Sequence, residues 1–234
     1  MSANANVLRG SETIRSSVRE SDLPRVEACA INQWNSEDFA REQIRGLVRR
    51  VFFTGGGQPA KYVVFSAAES NVDMASICDG VARALAEETA ADVAVVKAGE
   101  GILASNCSRT PSKRASIKAL STQIGVNLWR IPQDGVGESD QRYPTGIHWL
   151  PCLEELRSEF EFVVIQGPAA GISSQAALLG QLTDGIILLL SAGSTRRATA
   201  LKIKETMEAA QCRILGTILA ERTFPIPDRL YRRL

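Results

Sequence analysis

From Lys61 onward, short apolar runs alternate with longer amphipathic segments. The runs KYVVFSA (61–67), DVAVVKA (92–98), VNLWRI (126–131), FEFVVIQ (160–166), GIILLLSA (185–192) and RILGTILA (213–220) have the length of strands, and several are apolar at consecutive rather than alternate positions. A strand that is apolar on both faces is covered on both faces, as in a parallel sheet sandwiched between helices. The intervening segments near 72–90, 112–124, 146–159, 172–182 and 195–210 predict helices. Strand and helix in alternation require crossover connections, so the expected class is α/β: a doubly wound, mostly parallel sheet with helices on both faces.

Upstream the pattern changes twice. Residues 1–35 are rich in Ser, Asn, Arg and Glu without a sustained apolar period, and are expected to form a flexible leader to a single domain over 36–234. From Ser36, a plausible N-cap, the apolar residues Ile44, Leu47, Val48, Val51 and Phe52 recur at helical spacing until TGGGQP interrupts them. Arg41, Arg45, Arg49 and Arg50 flank that stripe, which suits either a solvated basic face or a partner surface.

Composition narrows the chemistry. Lys and Arg number 27 against 26 Asp and Glu, so no net field favours a polyanion, and nucleic acid is not an expected partner. The five cysteines (29, 78, 107, 152 and 212) form no C-x-x-C pair or Cys/His cluster, which points to reduced thiols and a cytoplasmic setting and to no thiolate metal site. Cys78 reads as a small core residue. His148, the only histidine, has no nucleophile suggested beside it and reads as structural. The basic stretch SRTPSKRAS (108–116) reads as a solvated connection.

In a doubly wound sheet, ligands sit at the carboxyl ends of the strands, where the first loop meets a helix N-terminus. Three places qualify: 66–75, 97–99 and 166–169. The segments that contain them, together with REQIRGLVRRVFF, VVFSAAESNVDMASICDGVARALA, VNLWRIP and LRSEFEFVVIQGPAAGISSQAALLGQLTDGIILLLSAGSTRRATA, resemble the P-loop tyrosine kinases of bacterial capsule and exopolysaccharide synthesis, relatives of the cell-division and partitioning ATPases. The resemblance runs from about Phe39 to Leu234 and implies a P-loop NTPase-like fold. Its ending, ILGTILAERTFPIPDRLYRRL, carries one tyrosine, Tyr231, where active kinases of the family carry a tyrosine cluster.

The residues that would hold nucleotide depart from the family pattern. An active P-loop needs glycines that let backbone N–H groups close on phosphate, a lysine for the β and γ phosphates, and a hydroxyl for Mg²⁺. In place of G-x-G-K-[ST] this chain has Asn71, Val72, Asp73, Met74 and Ala75. The family's two acidic residues after the next strand fall on Lys97 and Gly99, and its aspartate at the end of FEFVVI on Gln166. The asparagine that reads adenine falls on Ala220. Two roles are open to Lys97: to replace the missing lysine from a different strand, or to pair with Asp73 and plug the crevice.

The family's ring-forming E-x-x-R-x-x-R motif keeps Glu42 and Arg45, but its third position is Val48, and Arg49 comes one residue late, roughly 100° away around a helix. Arg196 and Arg197, in STRRA, match the family pattern and are further interface candidates. The resulting expectation is a catalytically inactive binding or regulatory module without a cofactor or metal. Its implied partner is a protein of the inner-membrane polysaccharide export or chain-length machinery, or an active kinase paralogue, with a homo-oligomer open. Two alternatives stand beside it: a weak, noncanonical ATP-binding kinase or ATPase using ATP and Mg²⁺, and a partitioning-type binding protein.

Overall fold

Along the first strand, Val63 and Phe65 belong to one hydrophobic cluster and Tyr62 and Val64 to another. That alternation sets the architecture. The computed structural model describes residues 36–53, 59–70, 72–98, 115–132 and 146–221. Among them, seven strands form one sheet: β1 (Tyr62–Ala67), β2 (Val93–Lys97), β3 (Thr122–Gly125), β4 (Leu128–Arg130), β5 (Phe162–Gln166), β6 (Gly185–Ser191) and β7 (Ile214–Ala220). Their spatial order is β3-β4-β2-β5-β1-β6-β7, and all neighbours are parallel except β3 and β4.

The helices are α1 (Ser36–Val48), α2 (Met74–Thr89), α3 (Ile117–Leu120), α4 (Gly146–Glu159), α5 (Gln175–Leu182) and α6 (Arg197–Ala209). A π-helical turn over Arg49–Phe53 continues α1 and buries Val51 and Phe52, with the Phe52 ring edge-on to Phe162 at 6.0 Å between centroids. Residues of α1 and α2 cover one face of the sheet, and those of α4, α5 and α6 cover the other. In α4 the sequence spacing explains the contact: Trp149, Cys152, Leu153 and Leu156 repeat at helical intervals and are all buried. Full burial of each such large side chain stabilises the fold by roughly 1.5–3 kcal/mol.

One predicted helix is corrected. Residues 112–124 were expected to form a crossover helix; among the described residues only Ile117–Leu120 is helical, and Thr122–Gly125 is an antiparallel edge strand. The reason is local. Ser116 and Glu159 satisfy the first N–H groups of α3, and the helix stops after one turn because Ser121 is already extended (ψ 154°), its N–H donating back to Lys118 O. Asn127, at φ 54°, then reverses the chain in the left-handed region that Asn tolerates.

At the amino ends of the strands, side-chain carboxylates fasten the sheet. Asp184 accepts both Lys61 N (2.6 Å) and Tyr62 N (2.8 Å) at the start of β1. The Tyr62 hydroxyl donates to Phe160 O at 3.0 Å, and burial pushes its phenol above the usual range. Asp92 accepts Lys118 Nζ at 2.7 Å and Trp129 Nε1 at 3.1 Å; the bond from Lys118 is the main reason its carboxyl is held below the ordinary aspartate value. A polar cleft of about 550 Å³ lies at this pole, where Lys61 pairs with Glu161, Asp92 with Lys118, and Glu159 accepts from the backbone of α3. Its residues act as sheet fasteners.

Candidate functional site

The carboxyl ends of β1, β5 and β2 are adjacent and level, because Gln166 is in register with Phe65 on one side and Lys97 on the other. Backbone bonds continue the ladder past the strands: Ala98 N donates to Gln166 O and Gly167 N to Phe65 O, both at 2.8 Å. Gln166 is half-buried at the middle of this crevice, and Lys97 is exposed at its side. These three strand ends are thus brought side by side at one end of the sheet.

The N-terminus of α2 faces the same end. Helix N-termini present unpaired N–H groups and the positive end of the helix dipole, which together favour anions. Here the chain supplies its own. Asp73 is the N-cap residue, and its carboxylate accepts Ser76 N at 3.2 Å. Met74, which the sequence resemblance sets against the family's lysine, is buried in the cluster under α2 with Val72 and Cys78. Ala75 is exposed and brings no oxygen for a metal.

The loop after β5 is laid directly on the loop after β1. The fully buried Ser66 hydroxyl donates to Pro168 O at 2.5 Å, and Ala170 N donates to Ala67 O at 2.8 Å. A Cβ on Gly171 would lie 2.4 Å from the Ala68 carbonyl oxygen, so only glycine permits this approach. Sequence reasoning located the two loops but not their contact; the signal was the pair of glycines in QGPAAG. Beyond the loop contact, Ile172 is 74% exposed.

Lys97 does not pair with Asp73, so the proposed plug is not formed; Asp73 is committed to its own helix. At the far ends of β6 and β7, Ala220 is buried and its carbonyl accepts Ala192 N at 2.8 Å. The adjacent Glu221 carboxylate takes a bond from the buried Ser191 hydroxyl, and Ser191 N donates to Thr195 Oγ1 at 3.0 Å. Ala220 itself carries no side-chain amide.

The interface candidates are placed as follows. Arg45 pairs with Glu87 (3.4 Å) and Arg49 with Glu88 (3.2 Å), so they clasp α1 and the π-helical turn after it to α2, while Glu42 lies exposed on α1. Gly80 supports this packing, since a Cβ there would lie 2.9 Å from Ile44 Cδ1. Arg196 is the N-cap residue of α6 without a side-chain cap bond, and Arg197 opens the helix; both are exposed. Asn71, Gly99, Tyr231, residues 1–35 and the stretch 108–114 lie outside the described residues, as does the side chain of His148.

No protein-family model matches the chain. Over 92 residues it is 34% identical to the tyrosine-protein kinase CpsD of Streptococcus agalactiae serotype III (strain NEM316), and over 72 residues 29% identical to the tyrosine-protein kinase YwqD of Bacillus subtilis (strain 168). Over these stretches the chain is similar to bacterial tyrosine-protein kinases. The match to CpsD covers 39% of this chain and 40% of the relative's length. Among solved structures, the chimerical protein CapA2B2 superposes with a TM-score of 0.62 at 17% identity, covering 76% of this chain and 83% of the other. The kinase domain of the Escherichia coli tyrosine kinase ETK gives 0.61 at 14% identity, covering 80% and 79%. The cell-division protein MinD of Aquifex aeolicus gives 0.51 at 15% identity, covering 74% and 73%. The kinase-like fold is thus the mostly parallel, P-loop NTPase-like sheet with flanking helices.

A nucleoside triphosphate with Mg²⁺, which this fold implies, does not fit the described residues. The helix N-terminus is capped by a carboxylate, the positions for cation and hydroxyl are Met74 and Ala75, and the strand ends offer Lys97 and Gln166 in place of carboxylates. An aspartate opposite a triphosphate adds repulsion where an active site needs charge neutralisation.

Proposed function

We propose that this chain is a catalytically inactive, kinase-like binding module of exopolysaccharide or capsule synthesis, with residues 36–234 as one domain behind a leader. The observation that carries this reading is the Asp73 cap on α2: the donor group that would meet phosphate is already used by the chain's own carboxylate. The similarity to bacterial tyrosine-protein kinases supports the setting. In this reading the protein resides in the cytoplasm. It is recruited to the inner membrane by a protein of the export or chain-length machinery, or it docks on an active kinase paralogue, without an ATP cycle. Among the described residues no helix is long and apolar enough to cross a membrane.

Calorimetric titration with Mg-ATP tests the first part. No saturable heat is expected up to about 1 mM nucleotide, the regime of binding weaker than roughly −4 kcal/mol. Micromolar binding that Asp73→Gly or Lys97→Ala alters would overturn the reading. Affinity capture from native cells, with the export protein and kinase paralogues as the candidates scored, tests the second part.

One observation favours the enzymatic alternative, a weak noncanonical ATP-binding kinase. Lys97 is exposed at the crevice and is not consumed by Asp73, so a cation is at hand on β2. The titration above separates the two readings. The partitioning-type reading gains nothing from the balanced charge of 27 basic and 26 acidic residues.

A further inference from the structure

The edge strand β7 has one open side. Ala220 O accepts Ala192 N, so the backbone groups of Ala220 point toward β6. Strand alternation then turns the N–H and C=O groups of Thr217 and Leu219 away from β6, and among the described residues no strand lies on that side. The strand reads ILGTILA, with no charge and no proline, the composition that leaves an edge unprotected against pairing.

The side chains beside this edge are uncovered too. Register pairs Leu188 with Thr217 and Leu190 with Leu219, which places Thr217 and Leu219 on the α6 face of the sheet. There an apolar cleft of about 430 Å³ runs between α6 and the last two strands. Leu219 is 57% exposed, and Leu201, in the α6 wall of the cleft, 47%.

That wall also carries charge in a fixed order. Arg197, Leu201, Lys204 and Glu208 line the cleft in turn along α6, all of them exposed. Arg197, at the start of the helix, has no carboxylate partner among the described residues. Glu208, near its end, takes Lys204 Nζ at 2.9 Å, yet both side chains stay more than half exposed, so the carboxylate has room for a second donor. A body that complements this wall is apolar at its middle, acidic beside Arg197 and basic beside Glu208. A second copy of the chain, turned end for end, has that order.

We propose that two copies of this chain join edge to edge through β7, about a two-fold axis that passes Ile218 normal to the sheet. Such an axis sets the two β7 strands antiparallel and keeps both α6 helices on one face. Thr217 then lies opposite Leu219 of the partner subunit, and the outward N–H and C=O groups of the two residues exchange both hydrogen bonds. Each Leu219 side chain is laid beside the partner's Thr217, at the apolar cleft. The two α6 helices run in opposite directions, so the Arg197 end of one lies alongside the Glu208 end of the other. This surface is separate from the crevice, and its pairing does not depend on whether nucleotide binds there.

Sedimentation velocity and hydrogen exchange of the full chain test this together. The sedimenting mass is expected to rise from one subunit to two with protein concentration, and the amides of Thr217 and Leu219 to gain roughly ten- to a hundredfold protection in step with it. Leu219→Lys places a charge on the exposed edge and is expected to weaken association by about tenfold or more. Arg197→Glu is expected to weaken it severalfold, and Arg197→Glu combined with Glu208→Arg to restore it. A chain that stays monomeric at every concentration would overturn the proposal, as would a dimer indifferent to Leu219→Lys. Protection of both amides that is independent of concentration would assign the edge to the chain's own residues and overturn it equally. A double charge variant no tighter than Arg197→Glu alone would overturn the antiparallel arrangement.

Discussion

The Asp73 carboxylate accepts the backbone N–H of Ser76 at 3.2 Å and so closes the first turn of α2. A residue that looks like a defect in a phosphate loop is thus a component of helix stability. Asp73→Ala is expected to cost about 1 kcal/mol, the usual value of an N-cap, and Asp73→Asn much less, because the amide oxygen still accepts. Urea denaturation midpoints of the two variants check this. A stabilising Asp73→Ala would mean that the carboxylate is a burden left by another role.

The contact between the loops after β1 and β5 predicts two further losses. Gly171→Ala forces a Cβ against the Ala68 carbonyl and is expected to destabilise by about 1–3 kcal/mol. Ser66→Ala leaves the Pro168 carbonyl without its partner in a buried position, at a cost of about 1–3 kcal/mol. Since the two residues serve one contact, the double variant is expected to lose less than the sum, which a double-mutant cycle on denaturation free energies measures.

Arg45 and Arg49 are engaged with Glu87 and Glu88 on the same chain. These are exposed or half-exposed pairs, and each is expected to contribute below about 1 kcal/mol. Arg45→Ala and Arg49→Ala are therefore expected to leave the thermal midpoint nearly unchanged. Sedimentation velocity of the same variants reads any role in self-association separately: an altered oligomer with unaltered stability would return these arginines to an interface.

Acid is expected to loosen the β2–β4 pole through Asp92. Its carboxyl is held below the ordinary aspartate value by the bond from Lys118, with a smaller contribution from Trp129. A group whose pKa is depressed on folding contributes stability above its unfolded value, about 3.9, and loses it as pH falls through the lower folded value. With its partly exposed partner the pair is worth less than about 1 kcal/mol. Asp92→Asn is expected to lower stability at neutral pH slightly and to flatten its fall below about pH 4. Denaturation midpoints measured from pH 7 to pH 3 check this.

The doubly wound sheet was legible because its central strands announce themselves. GIILLL at Gly185–Leu190 has no polar position to spend on solvent, and only a strand covered on both faces accommodates that. The segment 112–130 was harder to read, because Thr122–Gly125 is exposed at every position and carries no periodic signal. The crevice residues were legible one at a time, through spacing from strand ends. What sequence spacing could not supply was pairing at a distance: Asp73 turned toward its own helix instead of Lys97, and Arg45 and Arg49 toward glutamates some forty residues away. Both outcomes depend on which direction a side chain leaves its element.

The buried Ser66 hydroxyl and the glycine-width approach at Gly171 couple two crossovers mechanically. A close-packed contact of this kind does not stretch; it either holds or separates. The loop that carries the protruding Ile172 is therefore fastened to the backbone at Ala67 and Ala68. A change at either loop is thereby felt at the other.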